Sequence, residues 1–170
     1  MATQSLNARL APSAQQFVVR VRTQVDAMHI AARVAALGSA VPLAGHTDLL
    51  LVEVRLGAKY QKDSWQTLRA CLGEAVVVLP VFLDSGGIVH YPTGEIVVRF
   101  KREVSDAALE SFSREHNLQL CARNKFVRAQ ATFVPVALAE VYLPALLLEL
   151  AADADVAAAW PSTLSVYERR

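Results

Sequence analysis

Hydrophobic and polar positions follow one another in blocks that predict a mixed order of strands and helices. "FVVRVR" (residues 17–22) predicts a strand, and "TQVDAMHIAARVAALG" after it carries apolar residues at helical spacing. "AVPLAGHTDLLLVEVRL" breaks at Gly45-His46 into two strands, because Leu50, Val52 and Val54 alternate along the second. A helix from "WQTLRACLG" and a strand from "AVVVLPVF", which Pro80 places at a sheet edge or a strand end, complete the order βαββαβ.

The second half of the chain repeats this order. "EIVVRFK" predicts a strand, "SDAALESFSREHN" a helix, "LQLCAR" and "KFVRAQATFVPV" a strand pair, "LPALLLELAADAD" a helix and "VAAAW" a strand that ends at Pro161. A shift of 79 positions aligns the two halves without a gap and brings Gly38 onto Asn117. Both residue types can end a helix in the left-handed conformation. We interpret the pattern as an internal duplication.

The βαββαβ order is typical of the ferredoxin-like unit, a four-stranded antiparallel sheet with two helices on one face. We therefore predict an α+β protein of two tandem ferredoxin-like repeats. The predicted boundaries are a flexible arm over 1–16, a first repeat over 17–85, a second over 86–163 and a tail over 164–170. Apolar residues on both sides of "LLLVEV" and "AVVVLPVF" predict that the outer sheet faces are covered, by the other repeat or by a partner.

Polar residues at the predicted helix starts indicate where the helices begin. Thr23 and Asp26 have the spacing of a capping pair, while Ser64 and Ser105 are placed to cap the second and third helices. Pro144 suits the first position of the fourth helix.

Composition narrows the class of protein. The 170 residues are 54% hydrophobic and 19% charged, which is too apolar for a disordered chain. Seventeen Lys and Arg against sixteen Asp and Glu give a net charge of +1, which argues against a nucleic-acid partner. No apolar run approaches the roughly 18–20 residues of a membrane span, and no secretory signal is evident, so we expect no membrane partner and a cytoplasmic location by default.

Candidate chemistry is sparse. The four histidines (His29, His46, His90 and His116) lie at no metal-ligand spacing, and we expect surface or capping roles for them. Cys71 and Cys121 also lack such spacing, are expected to be small buried residues and indicate a reducing compartment. "DSGG" at 84–87 is too short for a phosphate loop and no helix follows it. The sequence thus predicts no enzyme active site, no cofactor and no metal.

Five segments in the second repeat resemble the N-terminal propeptide domain of subtilisin-like serine proteases, in particular the fervidolysin type. They are "TGEIVVRFK", "SDAALESFSREHNLQL", "KFVRAQATFVPV", "LLLELAADADV" and "AAAWPSTLSVYERR", over roughly residues 91–170. The resemblance implies a ferredoxin-like domain that docks its outer sheet face on two helices of the protease. Such a domain assists folding of the protease and inhibits it, with its tail extended in the substrate cleft.

The same resemblance implies the site residues. The docking face would include Phe133 and Trp160 as aromatic anchors, with Ser162 and Thr163 in place of the acidic residues that often cap the enzyme's helices. The tail in the cleft would be Leu164, Ser165, Val166, Tyr167, Glu168, Arg169 and Arg170.

Because no protease domain follows, we expect a free-standing or excised propeptide-like protein that acts on a subtilisin-like protease in trans. The alternative is a tandem ferredoxin-like adaptor or self-associating module without a protease target. In that case the apolar sheet faces would form a homo-oligomer and the tail would be dispensable.

Overall fold

The structure is a computed structural model that describes residues 10–21, 23–55, 61–73 and 75–164. In this part the chain is α+β, with four α-helices and eight strands in antiparallel pairing. The strands are β1 Ala11–Arg20, β2 Gly38–Pro42, β3 Leu49–Val54, β4 Val78–Leu83, β5 Val89–Phe100, β6 Leu118–Arg123, β7 Gln130–Pro135 and β8 Val156–Leu164. The helices are α1 Gln24–Val34, α2 Gln61–Leu72, α3 Asp106–Glu115 and α4 Leu143–Ala152, with a short 3-10 turn at Leu138–Glu140.

The chain divides into two compact units. The N-terminal unit contains Ala11–Pro92 together with Leu164, and the C-terminal unit contains Thr93–Thr163. The boundary, between Pro92 and Thr93, falls within β5, seven residues after the predicted start of the second repeat at residue 86.

The N-terminal unit has the strand order β2-β3-β1-β4. In its centre Phe17 of β1 lies opposite Val52 of β3 and Pro80 of β4, and all three are buried. Pro80 therefore lies within β4, whose neighbour there is β1. Trp65 of α2 donates a hydrogen bond from Nε1 to the carbonyl oxygen of Val78 in β4 at 2.9 Å, which fixes α2 on one side of the sheet.

The other side of this sheet is covered by the unit's own chain. Val18, which alternates with the buried Phe17 and Val19, faces this side and begins a second apolar cluster. The buried members of the cluster are Val18, Leu43, Leu49 and Val81, and the partly buried residues that pack on it are Leu51, Val89, Tyr91 and Leu164.

The C-terminal unit has β7 on one edge of β5 and β8 on the other, so its strand order is β6-β7-β5-β8. Its core forms between the sheet and the helices. The Phe112 ring of α3 lies 5.1 Å from Phe100 and 5.4 Å from Phe133, measured between ring centroids. Helix α4 buries Leu143, Leu146 and Leu150.

Local chemistry at three helix ends is as predicted. Thr23 caps α1: its Oγ1 accepts the Asp26 N–H at 3.1 Å, and the Asp26 carboxylate accepts the Thr23 N–H at 3.0 Å. Ser105 caps α3 by accepting the Ala108 N–H. Pro144 is the second residue of α4, one position later in the helix than predicted. Asn117 has φ of 52°, the left-handed conformation expected just after α3.

Two other local predictions are wrong. Gly38 is the first residue of β2 and lies opposite Val54, and its φ is not positive. A Cβ there would lie 1.9 Å from the carbonyl oxygen of Glu53, so the absence of a side chain permits close strand approach and does not end a helix. Ser64 is buried inside α2, which begins at Gln61, so it is not the cap of that helix.

Three strands are longer than predicted. β5 begins at Val89 and not at Glu95. β1 begins at Ala11, with Ala11 paired to Leu83, so residues 11–16 belong to a strand and not to the predicted arm; residues 1–9 lie outside the described part of the chain. β8 continues through Pro161 and includes Leu164.

Candidate functional site

The sheet of the C-terminal unit has one face turned away from its aromatic core. Along β5, Ile96, Val98 and Phe100 are buried, while the residues between them are at least partly exposed. The register continues this face across the sheet, because Val97 lies opposite Thr132 of β7. We call this surface the open face; its residues are Glu95, Val97, Arg99, Thr132, Val134, Trp160 and Ser162.

Two of the predicted docking residues lie on the open face. Trp160 and Ser162 alternate with the buried Ala159 and Pro161, which places them on the open face. The carbonyl oxygen of Ser162 accepts a hydrogen bond from Thr93 Oγ1 at 3.3 Å, which ties β8 to β5. Thr163, the next residue, is also partly exposed.

Phe133 was placed wrongly. Its side chain is 0% exposed and lies against Phe112, on the helix side of the sheet. The register explains this orientation, because Phe133 pairs with the equally buried Ile96. Phe133 is therefore a core residue that no partner can reach in the folded unit, and Val134 beside it is the β7 residue on the open face.

The predicted tail is described only at its first residue. Leu164 is the last residue of β8 and packs on the Val18 and Val81 cluster of the N-terminal unit, so its side chain has an intramolecular role. The other tail residues lie outside the described part of the chain; they are Ser165, Val166, Tyr167, Glu168, Arg169 and Arg170.

A second candidate site lies where α3 and α4 end. The side chain of His116 is 9% exposed, and its ring centroid lies 4.5 Å from that of Phe112, with the two rings tilted by 52°. Its Nδ1 lies 3.2 Å from Glu149 Oε1 and its Nε2 lies 3.1 Å from Asp153 Oδ2. Burial of the ring lowers the pKa of His116, but the hydrogen bonds to Asp153 and Glu149 and the charges of these carboxylates outweigh it, so the pKa is raised.

Asp153 has its own anchoring contacts. Its Oδ1 accepts the Asp155 N–H at 2.8 Å, while its Oδ2 faces His116. Burial raises the pKa of Asp153, but the hydrogen bonds from Asp155 and His116, together with the positive charges of His116 and Lys101, lower it overall. Glu115, adjacent to His116, brings a third carboxylate: one ligand atom each of Glu115, His116 and Asp153 lie within 4.8 Å of one another.

Sequence reasoning missed this cluster. It expected a surface or capping histidine, and His116 does follow the end of α3. Its carboxylate partners lie 33 and 37 residues away along the chain, so no local spacing reveals them. The one available signal was that Glu149 and Asp153 are four residues apart and so lie on one side of the end of α4.

The "DSGG" segment forms a hydrogen-bonded turn between β4 and β5. Asp84 Oδ1 accepts the N–H groups of Gly86 at 2.8 Å and Ile88 at 2.9 Å, and His90 Nε2 lies 3.4 Å from Asp84 Oδ2. The hydrogen bond from the Ile88 N–H has the largest effect on the pKa of Asp84 and lowers it. Burial raises this pKa, but together with the hydrogen bonds from Gly86 and His90 the lowering effects prevail. The polar groups of this segment thus stabilise the turn by hydrogen bonding.

One exposed aromatic side chain also escaped sequence reasoning. Phe126, in the β6–β7 loop, is 96% exposed. Asn124 stabilises the conformation of this loop, because its Oδ1 accepts hydrogen bonds from the N–H groups of Phe126 at 2.9 Å and Val127 at 3.0 Å. The sequence "KFVRAQATFVPV" was interpreted as part of a strand pair, but its first residues form this turn.

The cysteines only partly match their expected burial. Both are free thiols; Cys71 is partly buried and its Sγ donates to the Arg33 carbonyl oxygen at 3.4 Å, while Cys121 is exposed. Loss of some hydration of the Cys121 thiol and the negative charge of Glu95 raise the pKa of this thiol, which disfavours the reactive thiolate.

A scan against protein-family models finds no match, and searches of curated proteins and of solved structures find none either. Among the described residues, no helix has the length and apolar character that crossing a bilayer requires.

Proposed function

We propose that the chain is a non-catalytic binding protein built from two tandem ferredoxin-like repeats. Its second repeat would bind a subtilisin-like serine protease, inhibit it or assist its folding, and place the C-terminal tail in the substrate cleft. The observation that carries the proposal is the arrangement of the C-terminal unit. Its strand order is β6-β7-β5-β8, and its last strand leads directly into the tail.

The repeat interpretation is supported by matching order and spacing. β2-β3-β1-β4 in one unit and β6-β7-β5-β8 in the other are the same order, the one that a ferredoxin-like βαββαβ unit has. When 79 is added to its residue numbers, β3 corresponds to 128–133, which overlaps β7 Gln130–Pro135. With the same shift, α2 corresponds to 140–151, which overlaps α4 Leu143–Ala152.

The open face is the surface we assign to docking. It combines the apolar side chains of Val97, Val134 and Trp160 with Glu95 and Arg99, a mixture found in non-obligate interfaces. Trp160 is its large aromatic residue, the type most often responsible for binding energy at interfaces. Since Leu164 packs within the chain, we assign the cleft-occupying segment to residues 165–170 and no longer to 164–170.

The test compares the full chain with a chain shortened after Leu164, as inhibitors of a panel of subtilisin-like proteases. This cut removes the proposed cleft segment and leaves β8 intact. We expect the shortened chain to inhibit at least about tenfold more weakly, a loss of about 1.4 kcal/mol. Trp160→Ala should weaken binding by a similar factor, while Phe126→Ala, a matched exposed aromatic on the β6–β7 loop, should leave it unchanged.

Two results would contradict the proposal. One is digestion of the full chain without inhibition, and the other is equal inhibition by the full and shortened chains.

The alternative function is a tandem ferredoxin-like adaptor or self-associating module. The observation that favours it is the packing of Leu164, which makes the start of the supposed tail a structural segment. Sedimentation velocity over a concentration series would test it. Self-association that Trp160→Ala abolishes and that the 165–170 deletion leaves intact would favour the module over the protease inhibitor.

A further inference from the structure

The cluster at the ends of α3 and α4 has the parts of a transition-metal site. It combines one imidazole with carboxylates from both helix ends, and the ring is held in place by its Phe112 contact. Carboxylate oxygens alone would suit Mg²⁺ or Ca²⁺, whereas an imidazole ligand favours Zn²⁺ and its neighbours in the first transition row.

We propose that Glu115, His116 and Asp153 bind a divalent transition-metal ion, with Zn²⁺ as the ion of choice, and that Glu149 orients the histidine. This proposal is independent of the protease-binding function. Two of the ligands follow one another at the end of α3 and the third caps α4, so the ion would clamp the two helix ends.

The distances suit a zinc ion. Zn²⁺ binds histidine nitrogen and carboxylate oxygen at about 2.0–2.2 Å, so two ligand atoms of a tetrahedral site lie about 3.4 Å apart. His116 Nε2 and Asp153 Oδ2 are 3.1 Å apart, close to that separation. All three ligand atoms lie within 4.8 Å, so a small movement of the exposed Glu115 side chain completes the set. The fourth position is left for water.

The contact between His116 and Glu149 supplies the outer part of the site. A metal-binding histidine usually donates its other ring N–H to a carboxylate, which fixes the tautomer and the ring orientation. Here Nδ1 lies 3.2 Å from Glu149 Oε1, which leaves Nε2 as the ligand atom facing Asp153. The metal then takes the place of the Nε2 proton, which is released to solvent.

To test the proposal, the full chain is first freed of metal by a chelator. It is then titrated with Zn²⁺ alone, and calorimetry measures the binding and the melting temperature. We expect one ion per chain and a higher melting temperature, because ligand binding to the folded state stabilises it. Glu115→Gln and Asp153→Asn should each weaken affinity at least about tenfold, and Glu149→Gln by about 10–100-fold, as for other outer carboxylates.

Two controls distinguish this site from other metal-binding groups. Glu110→Gln changes an exposed carboxylate elsewhere on α3, and His90→Gln removes the other His–Asp pair; both should keep wild-type affinity. Glu115→Gln also guards against misfolding, because Glu115 is exposed and its substitution leaves the core unchanged. Binding weaker than about 0.1 mM in the full chain, or affinity unchanged in both Glu115→Gln and Asp153→Asn, would overturn the proposal.

Discussion

Replacing Phe133 with alanine tests whether this residue belongs to the core or to the docking face. The side chain is 0% exposed and its ring lies 5.4 Å from Phe112. Truncating a buried phenylalanine costs about 3–5 kcal/mol, which includes the transfer of the ring and the cavity left behind. The lost aromatic contact lies within that figure at about 0.5–1.5 kcal/mol. Since a domain is stable by only about 5–15 kcal/mol, we expect a large fraction of the stability to be lost.

The assay is urea unfolding followed by far-UV circular dichroism, with the free energy taken from the midpoint at an unchanged slope. Val134→Ala is the matched control: it is the next residue of β7, it is partly exposed on the open face, and it should cost less than about 1.5 kcal/mol. Trp160→Ala should also change stability little while weakening partner binding. A cost below about 1 kcal/mol for Phe133→Ala, or a cost equal to that of Val134→Ala, would refute the core assignment.

Three further changes test local features. Gly38→Ala places a Cβ 1.9 Å from the Glu53 carbonyl oxygen; it should lower stability in thermal unfolding by at least about 2 kcal/mol, and a neutral result would contradict the close approach. Ser105→Ala removes the acceptor of the Ala108 N–H and should cost about 1 kcal/mol, whereas Ser105→Asp should restore the cap; equal losses in both would argue against capping. Because the pKa of Asp84 is lower in the folded state, its ionised carboxylate stabilises the fold. This stabilisation is present above the ordinary aspartate pKa of about 3.9 and is lost as the pH falls through the pKa of the folded state. Asp84→Asn should therefore lower the melting temperature at pH 7 but not in strong acid, and a difference that persists in acid would contradict this origin.

The order of elements was predictable from the sequence because local patterns determine it. Thr23 with Asp26 and Ser105 satisfy backbone N–H groups only a few residues away, so their spacing alone indicated two helix starts. Asn117 likewise takes the left-handed conformation that its small polar side chain tolerates.

Features that depend on distant partners were not predictable. Residues 11–16 have no strand pattern of their own, and Ala11 is in a strand because it pairs with Leu83. Phe133 and Val134 are adjacent apolar residues, so the alternation along β7 could not tell which of them faces the helices. His116 was misjudged for the same reason, because its carboxylates come from another helix.

The packing of Leu164 removes one residue from the proposed tail, and what is left is still long enough for the mechanism. Six residues, 165–170, can span about 20 Å when extended, and strand addition needs backbone length more than it needs any single side chain. In an extended strand Val166 and Tyr167 would point to opposite sides, so at most one of them can fill a given pocket. In the proposed complex, the packing of Leu164 within the chain would therefore leave these two side chains as the apolar contacts of the tail, and β8, which pairs with β5, would set where the tail begins.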